Sequence, residues 1–170
     1  MSGTKQYTTV DTREFRRTMG LFATGVTVLA VATDDDEIIG MTANAVTSVS
    51  LEPTLILVCV GKEANISRPL LEAPGFTLSF LSETQEALSN YFAGFWNDEI
   101  PPPAFEFVQW EGGPLLAGAI GAVGCRRYEV YEGGDHWIVL GEVTHVYRAD
   151  DNARPLLFFR GEYRALAEDD

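Results

Sequence analysis

The two histidines of this chain, His136 and His145, are the first residues to consider for acid–base or metal chemistry. They lie nine positions apart in a strand-like segment, and an odd separation places two residues on opposite faces of a regular strand. No cysteine or acid pair near them completes a zinc-type site, so we predict no metal. The sequence also lacks the Gly-x-Ser-x-Gly turn of many serine hydrolases. The common arrangements for metal and nucleophilic catalysis are therefore disfavoured.

Residues 40–50, GMTANAVTSVS, indicate a different chemistry, because they form a polar run of small side chains between two apolar segments. The hydroxyl and amide groups of this run can hydrogen-bond a ligand. Its glycine and alanines let a flat ligand approach the backbone closely. The alternative is an edge strand whose hydroxyls face solvent. Composition alone favours neither interpretation.

The elements that must position these residues are predicted from caps, turns and hydrophobic patterns. Two capping-box pairs each predict the start of a helix: Asp11 with Glu14, and Ser82 with Gln85. We expect the first helix to end near Gly25 and the second at Gly94. Residues 34–37 and 132–135 read as hairpin turns between β-rich segments, and residues 155–166 as a closing strand.

This pattern predicts a mainly β fold of six or seven strands with two or three peripheral helices. Because helices and strands do not alternate, we expect a small antiparallel β-barrel, which removes exposed edges by closing on itself. The proline-rich residues 95–104 cannot supply ladder donors and should form an exposed loop. The length and the absence of a linker predict one domain over residues 1–170.

Charge and composition exclude several classes of partner. The chain carries a formal charge of -13, which disfavours binding to the phosphate backbone of nucleic acids. The longest apolar run is too short to span a bilayer, and the first residues lack the pattern of a secretory signal, so we expect a soluble, cytoplasmic protein. The two cysteines, Cys59 and Cys125, have no partners at metal spacing and are expected to be reduced core residues.

Four motifs in the same order carry a resemblance to a known family. They are FATGVTVLAV at 22–31, GMTANAVTSVSLEPTLILVCV at 40–60, GGDHWIVLGEV at 133–143 and PLLFFRGEY at 155–163. Over nearly its whole length the chain resembles the short-chain flavin reductases, the reductase components of two-component flavin-dependent monooxygenases. The resemblance implies a homodimeric Greek-key split β-barrel that binds FMN or FAD and oxidises NADH or NADPH. The sequence leaves both cofactor choices open.

The resemblance also implies which residues bind the cofactor. Residues matching the isoalloxazine and ribityl contacts are Gly40, Met41, Thr42, Ala43, Asn44, Ala45 and Ser48. Residues matching the strand end and the phosphate segment are Cys59, Val60, Gly61, Lys62, Asn65 and Ser67. Tyr91 and Phe92 match a bordering helix position, and His136 of the Gly-Asp-His motif matches the place where nicotinamide docks. His145 belongs to no motif and is expected to be structural.

Binding two anionic cofactors to an acidic protein requires a local positive patch. The candidates from the sequence are Lys62, Arg68, Arg126, Arg127 and Arg160. The predicted activity is hydride transfer from nicotinamide C4 to flavin N5, with reduced flavin passed to a monooxygenase. Two alternatives remain: a flavin- or haem-binding barrel without turnover, and a subunit whose surface, not its pocket, carries the function.

Overall fold

The elements of the fold follow from a computed structural model that describes residues 10–97, 99–150 and 152–167. Within these ranges the α-helices are α1 (Thr12–Met19), α2 (Ser67–Glu72) and α3 (Glu86–Phe92). The strands are β1 (Thr24–Gly25), β2 (Thr27–Ala32), β3 (Ile38–Ala43), β4 (Val46–Leu51), β5 (Thr54–Gly61), β6 (Gly75–Phe80), β7 (Phe107–Trp110), β8 (Gly113–Leu116), β9 (Gly121–Gly133), β10 (His136–Arg148), β11 (Leu157–Phe159) and β12 (Glu162–Arg164).

Seven of these strands form one antiparallel sheet in the order β3-β2-β6-β9-β10-β5-β4. Smaller sheets are formed by β1-β11-β12 and by the β7-β8 hairpin. The predicted mainly β, antiparallel fold with few helices is therefore confirmed. The number of strands was underestimated, because several are only two to four residues long.

The large sheet is strongly curled. Its edge strands β3 and β4 follow each other in the chain, and only residues 44–45 join them. Seven flat strands would hold these edges roughly 29 Å apart at about 4.8 Å per spacing. The connecting backbone from Ala43 to Val46 reaches only about 11 Å. The sheet must therefore bend until its two edges approach each other, and β3 indeed contacts β5.

The concave side of this curl is filled by aliphatic side chains. Leu29, Leu78, Val58 and Val139 come from four strands of the sheet and are fully buried in one cluster. α2 contributes Leu70 to the same cluster. Burying such side chains stabilises the fold by about 1.5–3 kcal/mol each before the entropic terms. The core thus lies inside the sheet, and the polar residues of β3 and β4 lie at its rim.

The first helix is shorter than predicted. The side chain of Asp11 accepts hydrogen bonds from the backbone N–H groups of Arg13 and Glu14, so the predicted N-cap is confirmed. The helix ends at Met19 because Gly20, a poor helix former, follows it. Phe22, which lies within the predicted helix, is therefore beyond its end in the structure.

The C-terminal segment was predicted as one strand and is a hairpin. Arg160 and Gly161 both have positive φ values, 55° and 79°, which reverse the chain in two residues between β11 and β12. The capping box of Ser82 and Gln85 is present, and α3 follows it. Gly94 has φ +75° two residues after the last residue of α3, as the predicted stop requires.

Membrane insertion through helices finds no support. None of the helices in the described ranges is long and apolar enough to cross a bilayer.

Candidate functional site

The Gly-Asp-His motif forms the turn between the two longest strands, β9 and β10. Gly134 adopts φ +74° in this turn, a conformation that glycine accepts without strain. The Asp135 carboxylate lies 2.7 Å from Nδ1 of His136. The backbone N–H of Lys62 donates to the carbonyl of Asp135 at 3.0 Å, which ties the turn to the end of β5. His136 is therefore held at the rim of the sheet.

The imidazole of His136 faces open space. Its side chain is 47% exposed, although it is the first residue of a long strand. Gly61 is its cross-strand neighbour, and a Cβ added at Gly61 would lie 3.9 Å from Nε2 of His136. The missing side chain at Gly61 thus keeps one approach to the imidazole free.

Hydrogen bonding fixes the protonation pattern of this pair. The hydrogen bond from His136, followed by its charge, lowers the pKa of Asp135 below its ordinary value. An ionised carboxylate can only accept, so Nδ1 of His136 carries the proton and donates it. In the neutral imidazole Nε2 is then an acceptor that points away from Asp135. The motif therefore presents one ring nitrogen for interaction with a ligand.

Lys62 is partly buried beside this motif. Its ammonium lies 3.5 Å from a carboxylate oxygen of Glu132 and 4.6 Å from the ring centroid of Trp137, and 29% of its side chain is exposed. The two contacts hold the ammonium near the turn. Lys62 is therefore a positive charge at the rim, but one that Glu132 already partly compensates.

The polar residues of the 40–50 segment lie along the two edges of the sheet. The carbonyl of Ala45 accepts from the backbone N–H of Cys59 at 3.0 Å, which starts the pairing of β4 with β5. Ser48 is exposed on β4. The Asn44 amide donates to the Thr24 hydroxyl at 3.2 Å. As edge strands, β3 and β4 each have one side without a ladder partner among the described strands, so their backbone groups remain available.

Two residues of the same segment have structural hydrogen bonds. The Thr42 hydroxyl donates to the carbonyl of Ser89 in α3 at 2.7 Å. Ala43 is buried, and its carbonyl accepts from the Thr27 hydroxyl at 2.7 Å. Thr42 and Asn44 also line a cavity of about 280 Å³ between β3 and α3. The hydroxyl of Thr42 therefore fixes the helix against the strand.

A larger cleft of about 790 Å³ opens on the α3 side of β3. Of the predicted site residues, this cleft is lined by Gly40, Met41, Asn65, Tyr91 and Phe92. Its size is within the range of cofactor sites. A Cβ at Gly40 would lie 2.8 Å from the Phe92 ring, so the glycine makes room for that ring.

The cleft also contains aromatic residues that the sequence did not single out. Phe105 contacts Phe92 with ring centroids 4.9 Å apart, and Phe107 and Trp96 complete the wall. Nε1 of Trp96 is buried without a hydrogen-bond partner among the described residues. The only feature of the sequence that indicated Trp96, Phe105 and Phe107 was the number of aromatic residues around the proline-rich loop. The wall suits a flat ring system.

The predicted phosphate segment is less favourable for an anion than expected. Glu37 and Glu63 line the cleft together with Asn65, and no lysine or arginine of the described residues lines it. Ser67 is 5% exposed. The side-chain environment after Lys62 is thus acidic or buried.

Cys59 and Val60 lie on β5 at the same rim. Val60 is fully buried, so only its backbone could contact a ligand. Cys59 is partly buried, and burial raises the pKa of its thiol. Both residues therefore shape the strand end and supply no ionised group.

The strand register relates this strand end to His136. The carbonyl of Ala45 accepts from the backbone N–H of Cys59, and Cys59 pairs with Ile138, two residues from His136. At about 4.8 Å per strand and 3.3 Å per residue, Ala45 and His136 are roughly 12 Å apart.

The fold and this rim define a class: a small antiparallel β protein that offers free strand edges, an aromatic cleft and one oriented imidazole to a flat ligand. Known proteins with similar sequences and structures belong to the same class. Residues 19–167 match the flavin reductase like domain. The chain is 41% identical to an NADH-dependent FAD reductase from Streptomyces globisporus, over 94% of this chain and 88% of the relative.

Two further relatives extend the comparison. The reductase component of a 4-hydroxyphenylacetate 3-monooxygenase from Thermus thermophilus is 41% identical over 89% of this chain and 95% of its own length. The solved structure of the flavin reductase PheA2 superposes with a TM-score of 0.87 at 37% identity, covering 94% of this chain and 100% of that one. The chain therefore belongs to the flavin reductase like family, as its motifs predicted.

Proposed function

We propose that this protein is an NAD(P)H-dependent flavin reductase that passes reduced FMN or FAD to a flavin-dependent monooxygenase. The observation that carries the proposal is the exposed imidazole of His136, oriented by Asp135 at the same rim as the free edge at residues 44–48, roughly 12 Å from Ala45. The relatives support it, since one is named an NADH-dependent FAD reductase and another a monooxygenase reductase component.

The residues of the rim fit a flavin. A ring system lying against residues 40–48 would meet backbone groups of β3 and β4 that have no ladder partner among the described strands. Amides and hydroxyls there, including Asn44 and Ser48, would stabilise negative charge on the pyrimidine end of the ring. When bound, the flavin supplies N5 as the hydride acceptor for nicotinamide C4. The protein contributes binding and orientation.

His136 would orient the nicotinamide. Because its Nδ1 proton is committed to Asp135, the neutral ring offers Nε2 as an acceptor for the carboxamide N–H of the nicotinamide. Gly61 leaves space for this approach. A protein that holds donor and acceptor rings face to face turns a bimolecular step into an effectively unimolecular one. Within this proposal no side chain has to transfer a proton during the hydride step.

A turnover assay tests the proposal. The purified protein is mixed with NADH or NADPH, and the loss of the nicotinamide absorbance is followed with FMN, with FAD and without flavin. We expect oxidation only when a flavin is present, and the ratios of kcat/KM rank the two flavins and the two donors. Flavin binding without any flavin-dependent loss of NADH would contradict the proposal and indicate a binding protein.

We also propose that the protein is a homodimer. Phe15, Met19 and Phe22 are 57%, 51% and 71% exposed within one stretch of eight residues, and exposed large apolar side chains are typical of a contact surface. Size-exclusion chromatography with light scattering should give about twice the 18.7 kDa of one chain. A mass of one chain at micromolar concentration would contradict the dimer.

A further inference from the structure

Four arginines surround a cavity that lies outside the rim described above. The cavity has a volume of about 430 Å³ and separates α1 from the β11–β12 turn. The residues that line it are Arg13, Arg16, Arg17, Gly20, Leu21, Arg160 and Gly161. We call it the arginine cavity. A third of the 12 lysines and arginines of a chain with charge -13 thus face one space.

The charges of the arginine cavity are poorly compensated. Arg13 and Arg16 form no ion pair with any described residue, and Arg160 lies 5.1 Å from the ring of Phe159 and not beside an acid. Arg17 is 3.8 Å from Glu14, but both side chains are largely exposed, and such pairs are weak. Among the four arginines that line the cavity, only Arg17 therefore has an ion pair with a described residue.

The other described cations differ, because each has a partner. Lys62, Arg68, Arg126, Arg154 and Arg164 pair with carboxylates, Arg127 donates to backbone carbonyls at the end of α2, and Arg148 is also engaged. Outside this cavity each lysine or arginine of the described ranges thus has an interaction partner, whereas Arg13 and Arg16 have no ion pair with a described residue. Mutual repulsion of four like charges is unfavourable unless an anion occupies the space.

The fold fixes the arginines on both sides of the cavity. Arg13, Arg16 and Arg17 follow the i, i+3, i+4 spacing that brings side chains to one helical face. The backbone N–H of Arg160 donates to the carbonyl of Gly20 at 2.8 Å, which ties the β11–β12 turn to the end of α1. The cavity is therefore formed by two connected elements.

The arginine cavity adjoins the proposed cofactor site. Gly161 lines both this cavity and the smaller cavity that contains Thr42 and Asn44. The charge of Arg16 is also the smallest of the causes that lower the pKa of Asp135, of which the hydrogen bond from His136 is the largest. A ligand with its reactive ring near Asn44 and His136 could therefore extend an anionic group into the cavity.

We propose that the arginine cavity binds the diphosphate of a dinucleotide cofactor, an inference that rests on the function proposed above. Guanidinium groups bind phosphate oxygens through two parallel hydrogen bonds, and several of them suit a group with two adjacent anionic centres. The segment after Lys62 is a weaker anion site, because Glu37 and Glu63 lie beside Asn65. NADH and FAD both carry such a diphosphate, whereas FMN carries a single phosphate.

A binding experiment tests the inference without turnover. ADP, which carries the diphosphate, and AMP are titrated calorimetrically into the unchanged protein and into the variants Arg16→Gln and Arg160→Gln. Arg164→Gln is the matched control, because it removes one charge from the same hairpin, where Arg164 already pairs with Glu162. We expect ADP to bind more tightly than AMP, and each cavity variant to weaken ADP binding about tenfold while the control does not.

Kinetics then identify which cofactor supplies the diphosphate. With FMN as acceptor, a higher KM for NADH in the cavity variants assigns the diphosphate to NADH. A higher Kd for FAD, with that for FMN unchanged, assigns it to FAD. Equal ADP affinity in all four proteins, or an equal loss for ADP and AMP, would overturn the inference. Because ADP binding is measured directly, an inactive protein would contradict the proposed function and not this site.

Discussion

The two ends of the β9–β10 hairpin belong to the same pair of strands but differ in how they are packed. At the turn end His136 is half exposed and the nearest atom to a Cβ at Gly61 is 3.9 Å away. At the far end a Cβ at Gly124 would lie 2.3 Å from the carbonyl oxygen of Gly112. One end leaves space beside polar groups, and the other brings two backbones into contact.

This difference separates residues that serve binding from residues that hold the fold. The far end supports the β7–β8 hairpin, whose turn residue Gly112 packs directly on Gly124. At the turn end no second hairpin of the described residues packs against Gly61 or His136, so the side chains there can contact a ligand. Substitutions at the two ends should therefore affect different measurements: stability at the far end, kinetics at the turn end.

The largest effect is expected from Gly124→Ala. Its Cβ would overlap backbone atoms of Gly112, which cannot move as a flexible side chain can. We expect a loss of about 3 kcal/mol in the free energy of unfolding, measured by urea denaturation, and a Tm lower by roughly 10 °C. The matched substitution Gly61→Ala should leave stability nearly unchanged and raise the KM for NADH.

The contrast fails if the two alanines behave alike. Equal stability of both variants would mean that Gly112 moves away from Gly124 without cost. An unchanged KM in Gly61→Ala would mean that the space beside His136 is not used by the substrate. Either result would remove the distinction between the two ends.

The second effect concerns the two histidines at opposite ends of β10. His136→Asn removes the imidazole that would meet the nicotinamide, and we expect kcat/KM for NADH to fall tenfold or more, with stability retained. His145 contacts Trp110 and lies 3.9 Å from Glu111, an exposed pairing. His145→Asn should therefore keep kcat/KM within about twofold and lose less than about 1 kcal/mol of stability. A larger kinetic loss in His145→Asn would contradict this assignment.

Much of this contrast was available from the sequence, because it rests on local patterns. The hairpin turn at 132–135 follows from its glycines, and the first helix from Asp11. The prediction that His136 and His145 face opposite sides assumes a regular strand, but the pairing of β10 with β9 has register shifts at Leu140/Gly141 and Val143/His145. What separates the histidines in the structure is their distance along the strand.

The parts that the sequence did not predict depend on contacts between distant segments. The C-terminal hairpin turns at Arg160, which has φ 55°. Residues other than glycine rarely adopt a positive φ, so the sequence does not indicate a turn at this position. The positive patch was expected from Lys62, Arg68, Arg126, Arg127 and Arg160. Of these five residues, Arg160 alone lines the arginine cavity. The other four lie elsewhere and bind other groups: three pair with carboxylates, and Arg127 donates to backbone carbonyls at the end of α2. The spacing of Arg13, Arg16 and Arg17 was the signal that could have indicated it.

The third effect uses the buried thiol at the far end. Cys125 is 5% exposed, and burial raises its pKa from 9.0 to about 12. A pKa raised by folding stabilises the protein below pH 9, and this contribution is lost as the pH rises from 9 towards 12. Between pH 8 and pH 10 the free energy of unfolding should fall by about 1 kcal/mol more than in Cys125→Ala. Identical pH dependence of the two proteins would contradict a protonated buried thiol.

The smallest effect is expected at the turn end, from the carboxylate that orients His136. Asp135 is fully exposed, so its bond to His136 is screened by water and contributes weakly. Asp135→Ala should lower kcat/KM for NADH about two- to fivefold, whereas Asp135→Asn, whose amide oxygen can still accept from Nδ1, should lower it less. Because the pKa of Asp135 is already below its ordinary value of 3.8, the carboxylate is ionised throughout pH 5–8. The titration of Asp135 itself therefore does not change the activity within that range, and an unchanged kcat/KM for NADH in Asp135→Ala would show that Asp135 does not orient the ring.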